Sequence, residues 1–188
     1  MTQITKEEAI DAIRIILEYI GEDVNREGLI KTPERVIKSY EELFCGYKIN
    51  PEDIFGESFT NNYAFENIIL LRDIKFASLC EHHMLPFVGT VDIGYIPGKK
   101  IAGVSKLARV VEAFSRKLQM QERLTIQIAN FLHDAIKTKG VATRIRASHL
   151  CMSMRGVKKE ATVMETFHFT GIFASEHEKK QEFMSLTR

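Results

Sequence analysis

Side chains that bind metals and move protons are crowded into the segment "CEHHMLPF", where a cysteine, a glutamate and two histidines are adjacent. Cys80 and His83 have the C-x-x-H spacing that lets one loop close around a single ion, and Cys151 is available as a third ligand. Two cysteines and one histidine with the fourth position open are typical of catalytic zinc. Thiolate and imidazole ligands also favour zinc over magnesium or calcium. The spacing alone leaves His82 or His149 open as a fourth ligand.

A second group of such side chains comes from the segment "VATRIRASHLCMSMRG", which predicts a strand. Side chains of a strand alternate between its two faces. One face would then carry four residues: His149, Cys151, Ser153 and Arg155. A histidine, a thiol and a guanidinium on one face indicate a site. The alternative is that His149 and Cys151 are half-buried packing residues and that Arg155 is an exposed strand end.

Basic residues near two helix starts suit an anionic ligand. The segment "GVSKLAR" places Ser105 at a helix start, Lys106 in the first turn and Arg109 one turn on. Free backbone N–H groups and the positive end of the helix dipole make the helix start a favourable phosphate-binding site. Arg35 and Lys38 lie three residues apart on an earlier helix, so they share a face and are candidates to clamp a second phosphate. For each of them the alternative is an ordinary solvated side chain.

Gln121 and Glu122 stand at the start of a helix in the segment "LQMQERL". A carboxylate there can simply offset the helix dipole. It can also accept two parallel hydrogen bonds, which matches the N1–H and exocyclic amino donors along one edge of guanine. Both interpretations of Glu122 remain open at this point.

The first part of the chain predicts two helices and a linker. One helix begins with a Thr-x-x-Glu capping box at Thr5, and the next has Thr32 as its cap and Pro33 in its first turn. Residues 48–65 have weak periodicity and are interpreted as a linker. We therefore assign residues 1–60 to an N-terminal helical extension and linker.

The rest of the chain, residues 61–188, predicts one α+β domain. Two strands, "NIILLRDIKFASL" and "PFVGTVDIGYIPGK", precede two helices, the first near Ser105 with an apolar face that extends to Leu118, and the second from about Gln121 to Lys139. Two further strands complete a β-β-α-α-β-β order with an antiparallel sheet. The polar tail is expected to be a surface helix or a frayed end.

Composition narrows the class of protein. The 188 residues carry 26 basic and 25 acidic side chains, a balance that argues against a nucleic-acid or membrane-surface partner. No apolar run is long enough to span a bilayer, and the N-terminus does not resemble a signal peptide. We therefore expect a cytoplasmic protein. Cys45 is interpreted as a packing residue, because a free cysteine behaves as a small hydrophobe.

Three longer segments, "SLCEHHMLPFVGTVDIGYIP", "GVSKLARVVEAFSRKLQMQERLT" and "SHLCMSMRGVKK", resemble GTP cyclohydrolase I in order and spacing. "KTPERVIKSYEELF" is similar to that family's N-terminal helix, so the resemblance runs from about residue 5 to 174. It implies a zinc enzyme of the tunnelling fold (T-fold), assembled as a homodecamer of two pentamers with active sites at subunit interfaces. The implied reaction converts GTP and water into formate and 7,8-dihydroneopterin triphosphate, the first step of tetrahydrofolate and pterin biosynthesis.

The resemblance also implies roles for individual residues. Zn²⁺ would be held by Cys80, His83 and Cys151, and the acid/base pair would be His82 and His149. Glu122, with Gln121, would hold the guanine. The triphosphate would be surrounded by Ser105, Lys106, Arg109 and Arg155, and reached from a neighbouring subunit by Arg35 and Lys38.

Some parts of the sequence stay without a role. Residues 160–168 depart from the small Ser/Thr residues that many relatives carry there, Glu81 has no assignment, and His133 and His168 are taken as structural or surface residues. The rival from another class is a non-catalytic, nucleotide-binding regulatory T-fold protein with structural zinc. Retention of both His82 and His149 argues against it.

Overall fold

The chain divides into two compact units in its computed structural model, which describes residues 4–55 and 58–188. The units are Met1–Cys45 and Gly46–Arg188. The division comes before the boundary at residue 60 that the sequence suggested, because Phe55 is buried in the core of the second unit. Gly56, within the predicted linker, lies outside the described residues.

The first unit consists of two helices, α1 (Lys6–Tyr19) and α2 (Thr32–Leu43). The predicted capping box is confirmed, since the Glu8 N–H donates to Thr5 Oγ1 at 3.2 Å and the Thr5 N–H donates to Glu8 Oε2 at 2.7 Å. The prediction that Thr32 caps α2 is wrong. Lys31 occupies the cap position, and the Thr32 hydroxyl donates to the carbonyl of Gly28 instead.

The second unit confirms the predicted β-β-α-α-β-β order. The main elements are β2 (Ile69–Cys80), β3 (Pro86–Ile96), α4 (Val104–Ser115), α5 (Gln121–Ile136), β6 (Gly140–His149) and β7 (Met164–Phe169). Short elements lie between and after them: α3 (Pro51–Phe55), β1 (Phe59–Thr60), β4 (Lys100–Ile101), β5 (Leu118–Gln119), α6 (Leu150–Ser153), α7 (Ile172–Ser175) and α8 (His177–Leu186). The sheet order is β5-β2-β3-β6-β7, antiparallel except for the β2–β5 pair.

The core lies between one face of this sheet and helices α4 and α5. Val110 of α4 and Leu124 of α5 are fully buried there with Phe87 and Val91 of β3. Of the two alternatives predicted for the C-terminal tail, a surface helix or a frayed end, the tail is helical. Its Phe183 is buried in a second, smaller cluster with Ile96 and Ala142 of the sheet. Within the described ranges, no helix combines the length and apolarity that crossing a bilayer requires.

The last residues of the predicted third long strand adopt a different structure. β6 ends at His149, which pairs with Phe87 of β3, and the chain then turns into α6. In this antiparallel pairing the residue of β3 that would face Leu150 is Pro86, the first residue of β3, which has no N–H to continue the ladder. Cys151 and Ser153 are therefore helical, and the prediction that they share one strand face with His149 is wrong.

The segment between the two long helices also differs from the prediction. α4 ends at Ser115, so Leu118 does not extend its apolar face. Leu118 belongs to β5, which pairs with the end of β2 at Leu79 and Cys80. The second helix ends at Ile136 rather than at residue 139, because Lys137 adopts a left-handed conformation with φ of 53°. The predicted linker likewise contains two short elements, α3 and β1.

Candidate metal centre and surrounding site

Three predicted metal ligands come together at one end of the sheet. The ligand atoms of Cys80, His83 and Cys151 all lie within 4.8 Å of one another. Cys80 is the last residue of β2, and Cys151 lies in α6, just after the last residue of β6. Because β2 and β6 both pair antiparallel with β3, their last residues lie at the same end of the sheet.

The turn after β2 brings His83 back toward Cys80. The N–H groups of His83 and Met84 both donate to the Cys80 carbonyl, at 3.3 and 2.8 Å, and the Cys80 N–H donates to Leu85 O at 2.9 Å. Met84 has a positive φ of 53°, which closes this tight turn. The three consecutive residues after Cys80 are thereby fixed by backbone hydrogen bonds.

The donor set fits zinc. A tetrahedral zinc ion with bonds of about 2.3 Å to sulfur and about 2.0–2.1 Å to nitrogen needs ligand atoms about 3.5–3.8 Å apart. Cys80 Sγ and His83 Nδ1 are 3.9 Å apart. His82 Nδ1 is also 3.9 Å from Cys80 Sγ, but His83 is the histidine that joins the set of three. Two thiolates and one imidazole leave a fourth position open, as catalytic sites do.

The thiol of Cys151 is affected by its neighbours. Burial raises its pKa above the ordinary value, and the adjacent Cys80 thiol acts in the same direction. The Arg155 guanidinium, which donates to the Cys151 carbonyl at 3.4 Å, acts in the opposite direction. Two thiols this close are unfavourable as a pair of bare thiolates, and a bound divalent cation would compensate their charges.

His149 is held beside the metal ligands by two contacts. Its ring stacks on Phe87, with centroids 4.7 Å apart and planes 3° from parallel. Its Nε2 lies 2.8 Å from Gln121 Oε1. Burial lowers the pKa of His149 below its ordinary value, and the Glu122 carboxylate acts in the opposite direction. The half-buried ring is therefore held in place before any substrate binds.

The side chain of Gln121 is buried within the chain. It is 1% exposed, and its amide contacts His149, two backbone carbonyls and Thr166. The side-chain amide is thus fully used within the chain, while the contact of Gln121 with guanine stays a prediction. Glu122, the next residue, is exposed and remains available to a ligand.

The loop that carries the metal ligands is also tied to α5. Arg123 forms an ion pair with Glu81, the residue between Cys80 and His82. The same guanidinium donates to Gln119 Oε1 at 2.8 Å and to Leu118 O at 3.0 Å. Glu81, for which the sequence suggested no role, therefore connects the metal loop to a helix.

Three of the four predicted phosphate-binding residues of the second unit lie in the first two turns of α4: Ser105, Lys106 and Arg109. The fourth, Arg155, follows α6 and donates to the Cys151 carbonyl. Ser105 and Arg109 are exposed, and the cap residue Gly103 makes no side-chain hydrogen bond to the helix start. The Lys106 ammonium contacts the backbone carbonyl of Phe55 and lies 5.9 Å from the centroid of the Phe55 ring. Arg35 and Lys38 belong to the first unit, where they lie on α2 and line a common pocket.

Several residues that organise the site were missed from the sequence. Phe87, Gln119, Arg123 and Thr166 looked like core or surface residues, because each acts through another side chain rather than on a ligand. A signal existed for Arg123 alone, as it directly follows Glu122 in "QMQERL". The partners of the others depend on which strands become neighbours.

The whole chain is similar to one protein family. A family model described as GTP cyclohydrolase I matches residues 9–188. A curated GTP cyclohydrolase 1 from Rickettsia felis is 53% identical over 187 residues, 100% of this chain and 98% of that protein. Another from Rickettsia bellii is 55% identical over 183 residues, 97% and 95% of the two chains. Among solved structures, the archaeosine synthase QueF-Like in the apo form aligns with a TM-score of 0.47 and 13% identity, over 55% of this chain and 93% of that chain.

Proposed function

This chain belongs to the GTP cyclohydrolase I family, and from that premise we propose that it hydrolyses GTP at guanine C8. Addition of a first water at C8 and cleavage of the C8–N9 bond leave a formamide, and hydrolysis of its C8–N7 bond by a second water releases that carbon as formate. Rearrangement and a ring closure that expels one water then give 7,8-dihydroneopterin triphosphate, which enters tetrahydrofolate and pterin biosynthesis. The observation that carries the proposal is the convergence of Cys80, His83 and Cys151 beside the anchored ring of His149.

Zinc is the cofactor that we propose for this site. Cys80, His83 and Cys151 would hold it, because their ligand atoms lie within 4.8 Å of one another. The 3.9 Å between Cys80 Sγ and His83 Nδ1 is close to the separation that tetrahedral zinc requires. When bound, zinc supplies a water molecule whose pKa is lowered to about 7, and hence a nucleophile at neutral pH. The open fourth position is what distinguishes this donor set from a closed structural site.

His82 and His149 are proposed to move the protons. Cleavage of the two C–N bonds requires a proton at N7 and at N9, and histidine exchanges protons in the neutral range. His82 directly precedes His83 in the metal loop, and His149 is the last residue of β6, two positions before Cys151. General acid–base catalysis of this kind contributes about 10²–10⁴-fold to a rate.

The remaining groups are proposed to hold the substrate without reacting. The exposed carboxylate of Glu122 would accept the N1–H and amino hydrogens of guanine. Ser105, Lys106 and Arg109 at the start of α4, with Arg155, would bind the triphosphate. Lys106 would then exchange its contact with the Phe55 carbonyl for a phosphate oxygen. Binding energy from the phosphates would orient the base at the metal.

A homodecamer of two pentamers, with sites completed across subunit interfaces, is the assembly that we propose. Arg35 and Lys38 would reach the triphosphate from a neighbouring subunit. We also propose a cytoplasmic location, because all three cysteines are free and thiol ligands persist in a reducing compartment.

Formate release from GTP tests this proposal against the regulatory alternative. Purified protein would be assayed with zinc, after removal of metal by a chelator, and after zinc is restored. We expect formate and the pterin in equal amounts, lost with the chelator and regained with zinc. A zinc-loaded, folded oligomer that binds GTP without releasing formate would instead support the non-catalytic protein.

A further inference from the structure

The amide of Gln121 is held in one orientation by its surroundings. Its Nε2 lies 3.1 Å from the carbonyl of Ile145 and 3.0 Å from that of Met164. Carbonyl oxygens only accept hydrogen bonds, so the atom that faces both of them must be the NH₂ group. The other amide atom, which faces His149 at 2.8 Å, is therefore the oxygen.

A hydroxyl relay supports the same orientation. Thr166 Oγ1 lies 3.1 Å from Gln121 Nε2 and 2.7 Å from Thr125 Oγ1. The Thr125 hydroxyl donates to the backbone carbonyl of Gln121 at 2.7 Å. Since the Thr125 proton is used, Thr166 donates to Thr125 and can accept from the amide. A reversed amide would place its oxygen against two carbonyl oxygens, a repulsive arrangement in a site that is 1% exposed.

An amide oxygen can only accept, so the ring nitrogen that it faces must carry a hydrogen. We propose that Gln121 is a positioning residue that keeps the proton of neutral His149 on Nε2 and leaves the lone pair on Nδ1. Phe87 fixes the plane of the ring by stacking, and Gln121 fixes the rotation of the ring within that plane. This inference rests on the proposed function for its catalytic meaning, but not for its geometry.

The tautomer determines which nitrogen can exchange a proton with substrate. With Nε2–H committed to the Gln121 oxygen, Nδ1 is the nitrogen of His149 that accepts a proton and returns it. After it accepts, the imidazolium keeps its Nε2–H bond to the same oxygen, so the ring does not need to turn during the reaction. In this proposal the side chain of Gln121 acts on the reaction through His149.

The first test locates the proton by nitrogen NMR. The zinc-loaded full chain, ¹⁵N-labelled in its histidine rings, would be sedimented and measured in the solid state at about pH 8, above the ordinary histidine pKa of about 6.5. The chain has six histidines, and a His149→Gln variant identifies the signals of His149 by difference. We expect a protonated Nε2 and an unprotonated Nδ1. A proton on Nδ1 would overturn the proposal in the wild-type protein, without reliance on a variant.

The second test separates positioning from substrate binding. Gln121→Met keeps the shape of the side chain and removes the amide, and Asn130→Leu is its control. Asn130 lies on the same helix, and its amide oxygen also faces a histidine ring, that of His168, at 3.1 Å. We expect a mixture of His149 tautomers in Gln121→Met and the wild-type tautomer of His149 in Asn130→Leu.

Kinetics of Gln121→Met provide the remaining readout. Loss of a positioned proton carrier should lower kcat by about 10²-fold and change KM little. A raised KM with unchanged kcat would favour a guanine-binding role of the side chain instead, and an unchanged tautomer would refute positioning. The NMR measurement needs no turnover. A wild-type protein that releases no formate would therefore refute the proposed function, while the NMR result would still decide the location of the proton.

Discussion

Cys151 is the residue on which the proposed metal site depends most. It approaches Cys80 and His83 from a short helix, whereas the other two ligands come from one tight turn. Its position follows from the end of β6 at His149, opposite Phe87 of β3. A ligand from a second element converts a two-ligand loop into a site with three fixed donors.

Cys151→Ala is expected to abolish zinc retention and formate release together, because two remaining donors cannot complete the site. Zinc per chain, measured by atomic emission after gel filtration, would check this. Cys45→Ala is the matched control, because Cys45 is also a half-buried free cysteine but lies outside the set of ligands. Retention of one zinc per chain in Cys151→Ala would contradict the assignment.

The sequence revealed residue types more readily than their directions. Cys80, His83 and Cys151 could be recognised because few other combinations suit zinc. The direction of the Gln121 side chain could not be predicted, since a residue at a helix start can face solvent or the interior. Here the backbone carbonyls of Ile145 in β6 and Met164 in β7 lie near the start of α5. The Gln121 amide is buried because it donates hydrogen bonds to both of them.

At the scale of elements, α5 both packs the core and supports the site. Its first turn carries three residues of the site. Gln121 contacts His149, Glu122 is exposed, and Arg123 forms an ion pair with Glu81. One helix thereby contacts both the proposed proton carrier and the loop proposed to bind the metal. The prediction that β6 continues beyond His149 failed for a reason at this scale, since the partner strand begins at Pro86.

Arg123→Gln is expected to weaken zinc affinity by about 10–100-fold, the usual effect of removing a group that orients metal ligands. Competition with a chromophoric chelator would measure it. Arg116→Gln is the control, because Arg116 pairs with Glu112 within α4 and does not contact the metal loop. Equal zinc affinity in both variants would show that the Glu81–Arg123 pair does not support the loop.

The close contact between β3 and β6 near the site should be sensitive to a single methyl group. A Cβ at Gly89 would overlap the backbone carbonyl of Arg146, whereas one at Gly103 would meet its nearest neighbour at 3.7 Å. Gly89→Ala should therefore lower the free energy of unfolding by about 1–3 kcal/mol or more, as overpacking does. Urea denaturation would compare it with Gly103→Ala, and equal midpoints would contradict the expected strain.

At the scale of the whole molecule, the sheet has open edges. Among the described residues, β7 pairs only with β6, and β2 has a second partner only at Leu79 and Cys80. Such edges present unpaired N–H and C=O groups that another chain can use. The sequence suggested the assembly through family resemblance alone, because open edges become visible only once the strand order is known.

We expect light scattering to give the mass of ten chains, with and without zinc, since the edges are formed by backbone rather than by the metal site. Dilution should not change the mass over the range in which the enzyme is assayed. A stable monomer that still releases formate would contradict both the assembly and the role of Arg35 and Lys38 from a neighbouring subunit.

The most direct measurement follows the carbon that the proposed reaction removes. GTP labelled with ¹³C at C8 would be incubated with the zinc-loaded protein and with a chelator-treated sample, and ¹³C NMR would follow the label. We predict that all of the label leaves guanine and appears as formate, and that this requires zinc. Label that stays in guanine while the zinc-loaded protein binds GTP would contradict the account.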